Sequence, residues 1–230
     1  MRTTTRLTLP SLAEEKFFLG LDPSISARLD TFAWHRRYDP RQIIYFPDDR
    51  CDYVYWVRSG RVKITHVTER HRELTYRHLF KGDLFGEEGL ADRSQRKDYA
   101  EALTDTVLTL VRYDDFFQVV QEEGTLSLAL ARHCCRRALD VEKSLSDLLF
   151  MEVRQRIACR LLELSGQEAE REDNGPLRLT HQELANLVGA TRETVTVTLR
   201  ALQEEGIVTL GNRHLYLVDP ERLAQVAQPL

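Results

Sequence analysis

The sequence predicts an α+β chain: a strand-rich first half that forms a β-roll, one long unbroken helix, and a mostly helical last third closed by a hairpin. Three observations predict it. Short runs of strand-forming residues recur between turn signals over residues 41–111. Residues 125–150 contain neither Gly nor Pro. Beyond Met151, apolar residues repeat at helical spacing around two helix starts that open on Thr. The 230 residues, 26.7 kDa, 42% hydrophobic and 30% charged, suit two compact domains and match neither a disordered nor a collagen-like composition.

The strands are read at residues 42–46, 53–57, 62–67, 73–79 and 106–111, with Gly60, Gly82 and Gly86 at the corners. That regular spacing predicts a sandwich or barrel. Helical spacing over residues 12–33, broken at residues 20–23, predicts two short helices capping this roll, so a first domain spans residues 12–122. A helix follows over residues 123–150. Along it Cys134, Ala138, Val141, Leu145 and Leu148 step by 4, 3, 4 and 3 residues. A lone amphipathic helix lying on its own roll would show an apolar stripe; a heptad seam this regular predicts pairing with a second copy of the chain.

The third segment spans residues 151–230. Ile157, Ala158, Leu161, Leu162 and Leu164 mark a helix over residues 154–164, followed by a polar loop at 165–176. Thr180 and Glu183 form a capping box for the next helix, which Gly189 ends. Thr191 caps another, with Glu193 in its first turn, running to about residue 205. Residues 207–210 and 214–218 read as a hairpin around Gly211, and Asp219 with Pro220 starts a last helix. Ala185 lets the second helix cross closely, Gly189 makes the turn, and Leu184, Val188, Val195 and Leu199 form the core between the two helices. Helical hairpins without a DNA role share such spacing. Coincidence with two caps, a short turn and a hairpin wing predicts a DNA-binding winged helix-turn-helix.

Charge alone does not announce this partner. The net charge is -4 with a pI near 6.0. Residues 151–230 carry nine Arg and no Lys against twelve Asp and Glu, a net -3. Contact with double-stranded DNA therefore depends on a local patch and is salt-sensitive.

The string LTHQELANLVGATRETV at residues 179–195 resembles the signature of the cyclic-AMP receptor and fumarate–nitrate regulator family of bacterial transcription factors. So do WVRSGRVKI at 56–64 and KGDLFGEEGL at 81–90, which resemble the family's β-roll corners, and LLFMEV at 148–153, which resembles its hinge. The likeness runs from about residue 15 to residue 218. It implies a cyclic-nucleotide-binding-like sensor roll, a dimerisation helix and a winged helix-turn-helix. It also implies a homodimer on palindromic promoter sites, commonly an activator that recruits RNA polymerase.

On the second helix, Arg192 suits a bidentate contact to guanine or a phosphate, and Glu193 can accept from a cytosine amino group. Thr180, Thr191, Thr196, Arg200 and the wing residue Arg213 are candidates for backbone contacts. Val197 stands where the family commonly has a base-reading Arg. Valine can touch a thymine methyl but donates nothing, so the half-site is expected to differ there.

The roll's effector pocket is expected around Gly86, Glu87, Arg96 and Lys97. Glu87 and Arg96 match the family's ribose and phosphate ligands, but Lys97 replaces its Ser, Asp98 would repel a phosphate, and Val141 and Glu142 replace an adenine-contacting Thr-Ser pair. Control by cyclic AMP is therefore not expected, and Glu87 and Arg96 are read as a retained structural ion pair. An effector-gated switch using another small molecule is the alternative. No cofactor is expected: no Cys precedes Cys51 to build an iron–sulfur cluster, and Cys134 and Cys135 read as seam residues. The roll also resembles cupins, some of them metalloenzymes, but His66, His71 and His78 lack their HxH spacing. With no triad, P-loop or zinc motif, the expectation is no enzyme, no catalytic residue and no metal. No apolar run approaches a membrane span and no secretory leader is visible, so the expected location is the cytoplasm.

Overall fold

The computed structural model describes residues 10–69, 73–91, 95–169, 177, 179–211 and 214–228. They form two compact units, the first ending at Arg136 and the second starting at Arg137. The first contains β1 (Trp34–Tyr38), β2 (Ile43–Tyr45), β3 (Tyr53–Ser59), β4 (Val62–Val67), β5 (Glu73–Leu79), β6 (Leu84–Phe85), β7 (Tyr99–Ala102) and β8 (Thr106–Arg112). These make two four-stranded sheets, ordered β1-β8-β3-β6 and β2-β7-β4-β5, with antiparallel pairing throughout. Strand β3 explains the layering. Its Tyr55 and Val57 join the core shared with Tyr38, Tyr45, Val62, Leu79 and Phe85. Its Val54 and Trp56 join a second core with Leu29, Phe116 and Leu126 from the helices. A strand covered on both faces reads as a continuous apolar run.

Strands β1, β6 and β7 were not expected. The first is a mostly exposed edge rich in Arg and His, the second has two residues, and β7 contains Ala and Glu, which have weak strand preference. Their pairing is set by the ladders they complete. The expectation of two front-end helices is corrected. Residues 12–14 and 16–18 are single 3-10 turns, and α1 (Pro23–Phe32) is the only α-helix there. Between the two turns Glu15 is extended, and its buried carboxylate lies 2.9 Å from Arg58. Helix α2 (Tyr113–Glu122) was also unforeseen, although Phe116, Val119 and Val120 bury one face at helical spacing. Helix α3 (Gly124–Phe150) is unbroken and crosses from the first unit into the second.

The second unit continues with α4 (Val153–Ala169), α5 (His181–Val188), α6 (Arg192–Glu204), β9 (Val208–Gly211), β10 (His214–Leu217) and α7 (Pro220–Val226). The loop expected at residue 165 is corrected, since α4 continues to Ala169. Ser165 and Gly166 lower helix propensity by only about 1 kcal/mol at most each, too little to end a helix already anchored by Ile157, Leu161 and Leu164. Leu177 forms an isolated antiparallel bridge with Leu215 on β10. Among the described residues no helix is long and apolar enough to cross a membrane.

Candidate nucleic-acid interface and effector pocket

Helices α5 and α6 are started by their caps and held by their core. The Thr180 hydroxyl accepts from the Glu183 N–H at 3.1 Å, while the Glu183 carboxylate accepts from the Thr180 N–H at 2.6 Å. Thr191 accepts from the Thr194 N–H at 3.2 Å. Leu184, Ala185, Val188, Val195 and Leu199 are all buried. Gly189 closes α5 at φ 63°, a backbone conformation that favours glycine, and a Cβ there would push on the tip of the Leu148 side chain at 2.8 Å.

Burying Val195, Leu199 and Leu202 turns the other face of α6 outward. Thr191, Arg192, Glu193, Val197 and Arg200 are exposed, with Glu193, Val197 and Arg200 aligned at i, i+4 and i+7. Val197 is 67% exposed, an unusual place for a branched apolar side chain. Among the described residues, no side-chain hydrogen bond or ion pair engages Arg192 or Arg200. Thr196 is different. Its hydroxyl donates to the Arg192 carbonyl at 2.8 Å and sits 2.8 Å from His181 Nδ1, which must then be the donor to it. Its proton is thus committed inside the fold. His181 was not singled out by the sequence, where it looks like one polar residue in a first turn. Burial, then Arg192 and Arg200, hold its imidazole below the usual 6.5. A cleft of about 460 Å³ opens here, lined by Thr180, His181, Arg192, His214 and their neighbours. Arg213 lies outside the described residues.

The seam residues Cys134, Ala138, Val141, Leu145 and Leu148 are all exposed along α3, Val141 at 60% and Leu145 at 55%.

In the first unit, the expected ion pair between Glu87 and Arg96 is corrected. Arg96 is 2% exposed and pairs with Glu88 at 2.5 Å, while also donating to the carbonyls of Gly86 at 3.1 Å and Tyr53 at 2.6 Å. Its guanidinium lies 4.5 Å from the Tyr45 ring centre. Glu87, equally buried, takes a bond from His133 of α3 at 3.0 Å and lies 3.7 Å from Arg77. The physical reason is direction: adjacent residues in a tight turn point different ways, so only one of the two carboxylates reaches Arg96. Gly86 at φ 88° permits that turn, a Cβ there meeting Tyr55 at 2.8 Å. Lys97 is exposed, and Asp98 is engaged by His66 at 2.9 Å and by the Tyr76 hydroxyl. As arranged, Arg96 and Glu87 are both engaged by groups of their own chain. Among the described residues no group of three His, Cys, Asp or Glu is placed to hold a metal.

Residues 35–123 match the family model of the cyclic nucleotide-binding domain, and residues 155–226 that of the Crp-like helix-turn-helix domain. Over 213 residues the chain is 33% identical to the cyclic AMP receptor protein of Thermus thermophilus, spanning 91% of this chain and 95% of that one. The chain belongs to the CRP family of transcription regulators. This CRP-family regulator is also 30% identical over 221 residues to the CRP-like cAMP-activated global transcriptional regulator of Mycobacterium tuberculosis, spanning 94% and 98% of the two chains. Among solved structures, the c-di-GMP responsive global regulator CLP of Xanthomonas campestris shares 29% identity and a TM-score of 0.75, covering 85% of this chain and 99% of that one. The regulator therefore carries a helix-turn-helix DNA-binding domain behind a cyclic-nucleotide-binding-type domain, and its relatives are regulators of transcription rather than enzymes.

Proposed function

We propose that this CRP-family regulator acts in the cytoplasm as a homodimer on palindromic promoter sites, activating transcription by engaging RNA polymerase, without a requirement for cyclic AMP. The observation that carries this reading is α6: a capped helix, anchored on one face, with Arg192, Glu193, Val197 and Arg200 outward and both arginines uncommitted. Arg192 and Glu193 read base edges. Thr180, Thr191, Arg200 and Arg213 contact the backbone. Thr196 was expected among the backbone contacts. Its hydroxyl, resting on the Arg192 carbonyl in the free protein, reaches a phosphate by turning outward.

The exposed α3 seam supports pairing, since a stripe of Val141, Leu145 and Leu148 in water is offset by burial against its copy. Twofold pairing would set the reading helices roughly 34–36 Å apart. Selection from a random DNA pool tests the reading. A palindromic site bound by a sedimenting dimer is expected, with a half-site departing from the family consensus opposite Val197 and transcription by RNA polymerase raised from that site. A monomer, or equal grip on every duplex, would overturn it. One contact favours a second reading, in which a different small molecule gates the regulator: His133 on α3 bonds the buried Glu87 of the roll, so the roll and the pairing helix share a hydrogen bond.

A further inference from the structure

We propose that DNA binding loads a proton onto His181, so that the regulator grips its site more tightly as the pH falls. The inference rests on the reading of α6 as the DNA-facing helix and adds to that face a third cation, one that forms only in the complex. The His181 ring is half-buried at the start of α5. Its Nδ1 donates to the Thr196 hydroxyl at 2.8 Å, whose own proton goes to the Arg192 carbonyl at 2.8 Å. That order of donors fixes the neutral ring with its proton on Nδ1 and a lone pair on Nε2. Among the described residues Nε2 makes no hydrogen bond. A second proton therefore enters at Nε2 without breaking the Thr196 bond, and that bond persists when the Thr196 hydroxyl turns toward a phosphate.

What opposes that proton in the free protein is a field that DNA removes. Burial, then Arg192 and Arg200 of α6, hold the imidazole below its usual 6.5. Among the described residues the cleft that bears the ring is lined by Arg192 and by His214 of β10, and by no carboxylate. Glu183, in the same first turn of α5, is spent on the Thr180 N–H at 2.6 Å. An imidazolium there has no anion of the cleft to offset it. A duplex supplies one. Its phosphates and base edges take up the two guanidiniums, lift the repulsion that disfavoured a third charge, and offer the Nε2–H an anionic acceptor. Two cations on this face of the free protein become three in the complex. By linkage, a protein that gains a proton on binding binds more tightly where protons are more abundant.

The test measures the affinity of the full-length protein for the selected palindrome at fixed ionic strength, beside His181→Gln and His214→Gln. From about pH 8 to about pH 6 the parent and His214→Gln should each tighten by about fivefold or more, and His181→Gln by less than about twofold. Ring resonances of the parent, followed by NMR, should place the His181 titration at higher pH in the complex than in the free protein. The same titration pH in both states would overturn the proposal, as would an affinity of the parent that is flat with pH. So would a His181→Gln protein that melts cooperatively yet keeps the parent's slope, or a slope lost in His214→Gln instead. Equal grip on every duplex would strike the proposed function while leaving the proton linkage readable, because phosphates line every duplex.

Discussion

Arg96 and Arg192 are the same side chain put to opposite uses. Arg96 is buried, stacked over tyrosine, paired with Glu88 and bonded to two carbonyls. Arg192 stands exposed at the first position of a capped helix with no partner among the described residues. A guanidinium most of whose donors are already met contributes to stability and has little left for a ligand. One left in water contributes almost nothing to stability and keeps its fork for a base or phosphate. The lesson is that matching a residue type to a family's ligand says little until its donors are accounted for.

The largest expected effect comes from removing the committed cation. Arg96→Met should destabilise the first unit by about 2–4 kcal/mol in urea unfolding, from lost hydrogen bonds and ring contact, with Glu88 free to rehydrate. A loss under about 0.5 kcal/mol would break the comparison. Arg192→Ala should act on the other observable, weakening binding to the selected site by about 1–3 kcal/mol while the urea midpoint stays within about 0.5 kcal/mol of the parent. Measuring both variants by both assays should show the crossover.

A smaller effect sharpens the contrast by loosening the helix start that presents Arg192. Thr191→Ala removes the acceptor of the Thr194 N–H and should cost about 1 kcal/mol of stability in the second unit, which Thr191→Ser should restore.

The smallest effect concerns pH. Because burial and the two arginines hold His181 below 6.5, it is neutral in the folded chain while the unfolded chain takes up a proton first as pH falls. Stability from the neutral ring is intact above 6.5, declines as pH drops below that value, and levels off once the folded ring also protonates. His35, in the first unit, is depressed in the same direction by burial and Arg58. The difference between parent and His181→Gln in the urea midpoint from about pH 7.5 to 5.5 therefore isolates His181, and identical pH slopes would refute its role.

Much of this was legible along the chain. Local chemistry sets the two Thr caps, the Gly189 turn and the period-3.6 core of α5 and α6, so the reading helix and its exposed Arg192, Glu193, Val197 and Arg200 could be placed without coordinates. The long helix α3 was legible for the same reason. Edge strand β1 and two-residue β6 carry too little apolar pattern to be seen, because their partners rather than their composition define them. Helix α2 did carry a pattern, at Phe116, Val119 and Val120, and could have been found.

What the amino-acid order determined by itself was the set of elements whose hydrogen bonds and caps close within a few residues, and with them the face that α6 turns outward. What only the folded structure decided was which carboxylate meets Arg96 and which meets His133. Glu87 and Glu88 are neighbours with identical chemistry, and the choice between them depends on the direction each side chain leaves the turn after Gly86 and on cations contributed by residues distant in the chain. Interactions of that kind have no local period to betray them.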